Sequence, residues 1–253
     1  AVDEGSLTQA LTTTYSYALD LNSSFTGDDN LYVGIETGNA GSVNFVTDDS
    51  VSGSDTLSVH SMYYQFPIGG FDLAVGPKLD NDDLMPTTTS TYSDKFFMAG
   101  YALLESNAYL YGYTGAGVAV SKNFENGFNA SGSIIGTGAS TASGILTEEG
   151  IDVITLSAGY DGDNFGGGIV YTDGDDYCGI VNSFISNGCS SVLGVSSLAI
   201  NSIGIGGYWT PNEGKTTIST TANMLKPDVG GVDIEDLTDY QIAVEHQVFD
   251  GVL

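Results

Sequence analysis

Arginine is missing from this sequence, and its only strong cations are five lysines: Lys78, Lys95, Lys122, Lys215 and Lys226. Against 32 Asp+Glu they leave a formal net charge of −27. Gripping a phosphate backbone needs clustered Lys and Arg, so nucleic-acid binding is excluded. Cys178 and Cys189 are the only cysteines, too few for a zinc cluster, and neither His60 nor His246 is close to them in sequence. Long apolar runs are missing as well. The best candidate, 190–209, is interrupted by Ser196, Ser197, Asn201, Ser202, Gly204, Gly206 and Gly207 and alternates at its end, so membrane-spanning helices are excluded.

Several chemical motifs fail on inspection. Asp80-Asn81-Asp82-Asp83 and Asp173-Gly174-Asp175-Asp176 both begin like a calcium loop. They continue with Leu84-Met85 and Tyr177-Cys178, where a ligand and a glycine are required. Gly214-Lys215-Thr216 resembles the end of a phosphate-binding loop, but the first glycine of that motif would fall at Trp209. No nucleophile elbow occurs and no triad can be assembled. The expectation is therefore no catalytic residue, no resident metal and no cofactor.

What the chain does have is 35 glycines, 41% apolar residues and 11% aromatics, with 5 prolines. A disordered acidic chain lacks the apolar and aromatic content. Glycine at this level, with many Ser, Thr and Tyr, points to β-structure with tight turns.

Period two dominates. Tyr15, Tyr17, Leu19, Leu21 and Phe25 alternate with Ser16, Ala18, Asp20, Asn22 and Ser24. Leu31, Val33, Ile35 and Thr37 oppose Tyr32, Gly34 and Glu36, and Phe71, Leu73, Val75 and Leu79 oppose Asp72, Ala74, Gly76 and Lys78. The pattern returns at 128–134, 154–160, 165–171, 203–209, 218–224 and 240–249. It is less clear at 115–124, and at 57–66 the faces cannot be assigned. Tight turns at 27–29, 67–70, 125–127, 161–164, 211–215 and 250–251 alternate with long links at 38–55, 80–114, 136–150, 173–197 and 225–236. A soluble sandwich or solenoid explains the alternation but not the strict order of short and long. A transmembrane up-and-down β-barrel explains both, and accounts for tyrosines at strand ends as aromatic girdles.

The fold expected is therefore all-β, a transmembrane antiparallel barrel over residues 1–253. Eleven strands are counted, with Val252-Leu253 opening a twelfth. A closed barrel leaves no edge and bacterial barrels use even strand numbers, so the barrel is expected to continue beyond Leu253.

Particular residues resemble a family. The segment from Leu21 to Leu31 with Glu36-Thr37-Gly38-Asn39, the run Met62-Tyr63-Tyr64-Gln65-Phe66-Pro67-Ile68-Gly69, Val75-Gly76-Pro77, and Gly115-Ala116-Gly117-Val118-Ala119-Val120 are similar, in order, to motifs of cyanobacterial outer-membrane porins. The resemblance implies a sixteen-stranded, carbohydrate-porin-like barrel assembled as a homotrimer. It also implies an upstream S-layer-homology domain that binds cell-wall polysaccharide, a preceding strand, and further strands at the end. Two departures stand out: such porins carry arginines in the long loop after the fourth strand, and they end in an aromatic residue.

Parity places Asp20, Glu36, Asp72, Asp239 and Glu245 on the polar, lumen-facing side, with Lys78 the exception in sign. Carboxylates lining a narrow pore favour cations. Near seawater ionic strength the Debye length is about 4 Å, so only a constriction could select. The constriction candidate is the longest link, 80–114. It holds Asp80, Asp82, Asp83, Lys95 and Glu105, with an apolar stretch from Phe96 to Leu104 that must pack against something. It is expected to fold into the lumen, a trimer contact being the alternative. Cys178 and Cys189 share one long link on an oxidising surface, which suggests a disulfide closing it. The function expected is passive diffusion of inorganic ions and small hydrophilic solutes across a lipopolysaccharide-bearing outer membrane of a Gram-negative-type cell. The alternative is a surface receptor or adhesin acting through the acidic loops.

Overall fold

The computed structural model describes residues 15–38, 56–81, 83–84, 113–140, 144–147, 150–176, 178, 198–211, 215–229 and 235–247. Eleven strands follow one another: β1 (Ser16–Ser23), β2 (Asn30–Gly38), β3 (Ser58–Ile68), β4 (Phe71–Asp80), β5 (Thr114–Asn123), β6 (Phe128–Gly136), β7 (Asp152–Asp161), β8 (Phe165–Gly174), β9 (Ala199–Trp209), β10 (Thr216–Asp228) and β11 (Leu237–His246). They form one sheet in sequence order, each antiparallel to the next. The fold is all-β and up-and-down, as the alternation and turn order require. Among the described residues no helix is long and apolar enough to cross a membrane.

Short connections join the strands at one rim. Between β3 and β4 the register closes at Ile68↔Phe71, leaving Gly69 and Gly70 as a two-residue loop. Both have positive φ, 60° and 79°, which this hairpin type demands and only glycine adopts without strain. The β1–β2 turn is built differently, around Asp29. Its Oδ1 accepts hydrogen bonds from Ser24 Oγ (2.6 Å), Thr26 N (2.7 Å), Thr26 Oγ1 (2.8 Å) and Phe25 N (3.0 Å). Its Oδ2 accepts one from the Tyr64 hydroxyl of β3. These bonds, Ser24 and Tyr64 foremost, hold the Asp29 carboxyl far below the usual carboxylate range. Around this rim aromatic rings pack in succession: Phe25 on Tyr64 (6.1 Å), Tyr64 on Phe66 (5.5 Å), Phe128 on Tyr160 (5.2 Å) and Tyr160 on Phe165 (5.6 Å). Lys122 Nζ sits 4.4 Å from the Phe71 ring centre, a cation–π contact in the same belt.

The two faces invert the arrangement of a soluble protein. Directly opposed residues in antiparallel strands share a face, so the register can be followed across the sheet. One face carries Leu21, Val75, Val118, Leu156, Ile169, Ile205 and Ile242, all exposed, Ile205 by 62% and Ile242 by 78%. The other carries Ser133, Thr155, Thr172, Ser219 and Asn223, none more than 2% exposed. The exposed face is apolar and the covered one polar and small.

The covered face is not polar throughout. Leu79, Ile135, Val153 and Ile200 of this face join Tyr113, Leu198, Val229 and Cys178 in a buried cluster. Every one of these residues lies at or beside the long-link end of its strand. With Ala74 and Ala119 the cluster forms a hydrophobic core inside the wall, its larger side chains gathered toward the long-link rim.

Candidate functional site

The inner face is the candidate site, and its register assigns each expected lining residue. Asp20 opposes Gly34, and Glu36 opposes Ala18 on one side and Ser58 on the other. Asp72 opposes Pro67 and Ser121, Asp239 opposes Asn223, and Glu245 opposes Thr217. Following these pairs across the sheet puts all five on the inner face. Asp20 accepts a hydrogen bond from Tyr32 Oη at 2.7 Å, Glu36 from Ser58 Oγ at 3.3 Å, and Asp239 from Asn223 Nδ2 at 2.8 Å.

Lys78 is a correction. Strand β4 uses three residue steps, from Val75 to Lys78, where β3 uses two, from Tyr64 to Met62. The same happens on its other side, between Gly76↔Gly117 and Leu79↔Gly115. This bulge inserts one residue and reverses the alternation beyond it. Lys78 then opposes Met62 on the outer face, with Nζ directed at the Val59 carbonyl (2.5 Å). Leu79 turns inward and is fully buried.

Two further described lysines also avoid the inner face. Lys122 opposes Ala130 on the outer face, and Lys226 opposes Asn201 there and lies 3.9 Å from Asp236. Lys215, in the turn before β10, accepts at its carbonyl from Gln247 N (2.8 Å), one step beyond Thr216↔His246, and so has inner-face parity at the short-turn rim. Within the described strands, then, the inner wall bears carboxylates and no lysine.

The sequence pattern missed several inner-face groups. Asp161, placed in a turn by its neighbours, ends β7 on the inner face, where the Tyr208 hydroxyl donates to it. Extending the parity of Ser157 and Gly159 by one step would have found it. Tyr32 and Tyr63 oppose each other on this face, ring centres 5.1 Å apart. Leu57–Phe66, whose faces could not be read, contains a second irregularity: the β2–β3 register passes from Gly34↔Ser61 to Ile35↔Val59, leaving His60 as the extra residue.

The stem of the longest link also lies on the inner face. Asn81, one residue past β4, is 1% exposed. Its carbonyl accepts from Ser133 Oγ of β6 (2.6 Å) and its Nδ2 donates to Thr155 Oγ1 of β7 (3.2 Å). To reach those strands the chain must leave the wall and cross the inside of β5, which there carries only Gly117 and Ala119. At the other end of the link, Tyr113 donates through its hydroxyl to the Asp175 carbonyl beyond β8 (2.8 Å), and its carbonyl accepts from Asn81 N (3.0 Å). Asp80 holds both stems together: its carboxylate accepts from the Thr114 hydroxyl and its N donates to Asp83 Oδ2 (2.9 Å). Asp82, Lys95 and Glu105 lie outside the described residues. So does Cys189; Cys178 is buried and disulfide-bonded. Three residues before Cys178, burial pushes the Asp175 carboxyl above its ordinary value, and Asp173, Asp152 and Asp176 add to the shift.

No protein-family model and no curated protein sequence matches this chain. Solved structures do. The anion-selective porin from Comamonas acidovorans is similar with a TM-score of 0.53 and 11% identity, over 93% of this chain and 65% of that one. A porin refined at 1.8 Å has a TM-score of 0.47 at 12% identity, over 93% of this chain and 83% of that one. A loop-deletion mutant of OmpT, an outer membrane protein of Vibrio cholerae, has 0.46 at 14% identity, over 93% and 80%. The chain thus spans less than two thirds of the Comamonas porin. At identities this low the likeness is one of fold: the eleven strands form an up-and-down wall of the outer-membrane β-barrel type.

Proposed function

We propose that this wall belongs to an outer-membrane porin, a passive, cation-preferring diffusion channel for inorganic ions and small hydrophilic solutes. The exposed apolar face meets lipid, and the covered polar face meets the solute path. Cation preference rests on one observation above all: Asp20, Glu36, Asp72, Asp161, Asp239 and Glu245 share the inner face, while Lys78, Lys122 and Lys226 face out. The preference is a property of this lining and not of the fold, since the Comamonas relative of the same fold is anion-selective.

The link after β4 serves as the constriction in this reading, with Asn81 and Tyr113 anchoring its stems inside the wall. Cys178 pairs with Cys189 and closes the link after β8. The motif resemblance supports a cyanobacterial-type homotrimer of sixteen-stranded barrels, facing lipopolysaccharide outside and tied to wall polysaccharide by an upstream domain. No covalent step belongs to this reading.

Single-channel recording of the native full-length protein under a KCl gradient tests it. Discrete steps with a cation-selective reversal potential are expected. Anion-selective steps would keep the channel and overturn the account of its lining. Silence from protein shown to be folded would remove the channel.

A further inference from the structure

We infer that His60 is a proton-operated selectivity residue of this channel, which loses cation preference when the pore is acidified; the inference rests on the porin reading above. The bulge described for β3 makes His60 an extra residue without a partner on β2. Such a residue is released from strict alternation and can be re-aimed. Its ring lies over Gly34: a Cβ at Gly34 would stand 2.3 Å from His60 Nε2 and 2.5 Å from Cε1. Gly34 opposes Asp20 and belongs to the inner face, so the imidazole covers the inner wall and is half-buried there. The side chain fits because position 34 has none of its own.

On the inner face, the two strands before β3 place carboxylates near the ring. Strand β1 contributes Asp20 beside Gly34, and β2 contributes Glu36 on the same face, with Tyr32 bonded to Asp20. Strand β3 adds Tyr63, opposite Tyr32. Lys78 is the described lysine on this part of the sheet: it stands on the outer face, with Nζ 2.5 Å from the carbonyl of Val59, one residue before His60. Histidine is the side-chain type that changes charge between about pH 5 and pH 8, where carboxylates stay ionised and tyrosines neutral. The second histidine, His246, lies on the outer face of β11 opposite Thr216 and 2.8 Å from its hydroxyl. On the described inner wall His60 is the only histidine, and in this proposal it gains a positive charge on acidification. Doing so would offset Asp20 and Glu36 and lower the attraction for cations at the mouth end of the pore. At about 0.1 M salt the Debye length is about 10 Å, so the added charge reaches across that neighbourhood; at about 1 M it shrinks to about 3 Å.

The test is the reversal potential of the native full-length channel in a dilute KCl gradient at about pH 8 and about pH 5.5. The wild-type K⁺/Cl⁻ permeability ratio is expected to fall by about twofold or more on acidification, and to change less in concentrated salt. His60→Gln should hold the high ratio at both pH values, and His60→Lys should show the low ratio at both. His246→Gln should respond like the wild type. A wild-type ratio that ignores pH, or a response that survives in His60→Gln, would overturn the inference while leaving the porin intact. Absence of channel steps at either pH, from folded protein, would instead remove the porin reading and this inference together.

Discussion

The outer and inner faces of this sheet are made by the same backbone and obey opposite rules. Outside, large side chains such as Ile205, Tyr240 and Ile242 stand exposed, and nothing in the described chain covers them. Inside, Ser133, Thr155, Ser219 and Asn223 are buried. In water such an arrangement would forfeit the hydrophobic stabilisation that holds a globular domain together. In a bilayer it is the stable one, because lipid covers the apolar face and the strand ladder satisfies the backbone. The inner face teaches a second point, since it is itself divided. Toward the short turns it is polar; toward the long links it holds a packed apolar cluster against which the stems of the longest link are seated.

This contrast can be broken in graded steps. Leu79→Ala strikes the inner cluster at a fully buried position, and should cost about 2–5 kcal/mol of folding stability, read by denaturant unfolding in lipid vesicles. Ile205→Arg puts a charge on the exposed apolar face midway along β9 and should cost about 2–4 kcal/mol in the same assay. Gln241→Arg, the inner-face control on β11, should cost less than about 1 kcal/mol. If the two arginines destabilise equally, the assignment of faces is wrong.

Acid probes the turn that joins β1 to β2. The Asp29 carboxyl is held below its ordinary value, so its contribution is complete above the unfolded pKa of about 3.9 and declines as pH falls below that. Wild type should lose stability below about pH 4 more steeply than Asp29→Asn, which carries no such linkage. Equal slopes would show that the turn does not depend on the ionised form.

The smallest effect is the sharpest discriminator. Lys78→Gln should leave reversal potential unchanged, because Lys78 faces out, whereas Asp72→Asn should shift it toward anions. A shift in Lys78→Gln as large as in Asp72→Asn would return Lys78 to the pore.

Much of this was legible from residue order. Alternation such as Leu19, Leu21 against Asp20, Asn22 needs only the two-residue period of a strand, and the succession of short and long connections needs only turn chemistry. Legibility stopped where a strand carries an extra residue. Parity is a count, and one insertion inverts it: the bulge in β4 sent Lys78 out and Leu79 in, and the bulge in β3 made the faces of 57–66 unreadable and hid His60. The partner strand decides where such an insertion falls, so no local pattern announces it. The inner apolar cluster was hidden for a related reason. Ile135, Val153 and Ile200 sit at strand ends, where a pattern of alternating polar residues predicts solvent and the folded chain supplies the stems of neighbouring links.

By itself, then, the sequence determined the strand order, the antiparallel meander, aromatic residues at strand ends, and a surplus of negative charge on the face opposite the apolar one. These follow from backbone geometry and from interactions between residues near in sequence. The tertiary structure alone decided which lysines turn away from the inner face, that Asn81 crosses to Ser133 and Thr155, and that His60 lies over Gly34. Each of these depends on register between strands, and register is settled by the side chains of two strands at once.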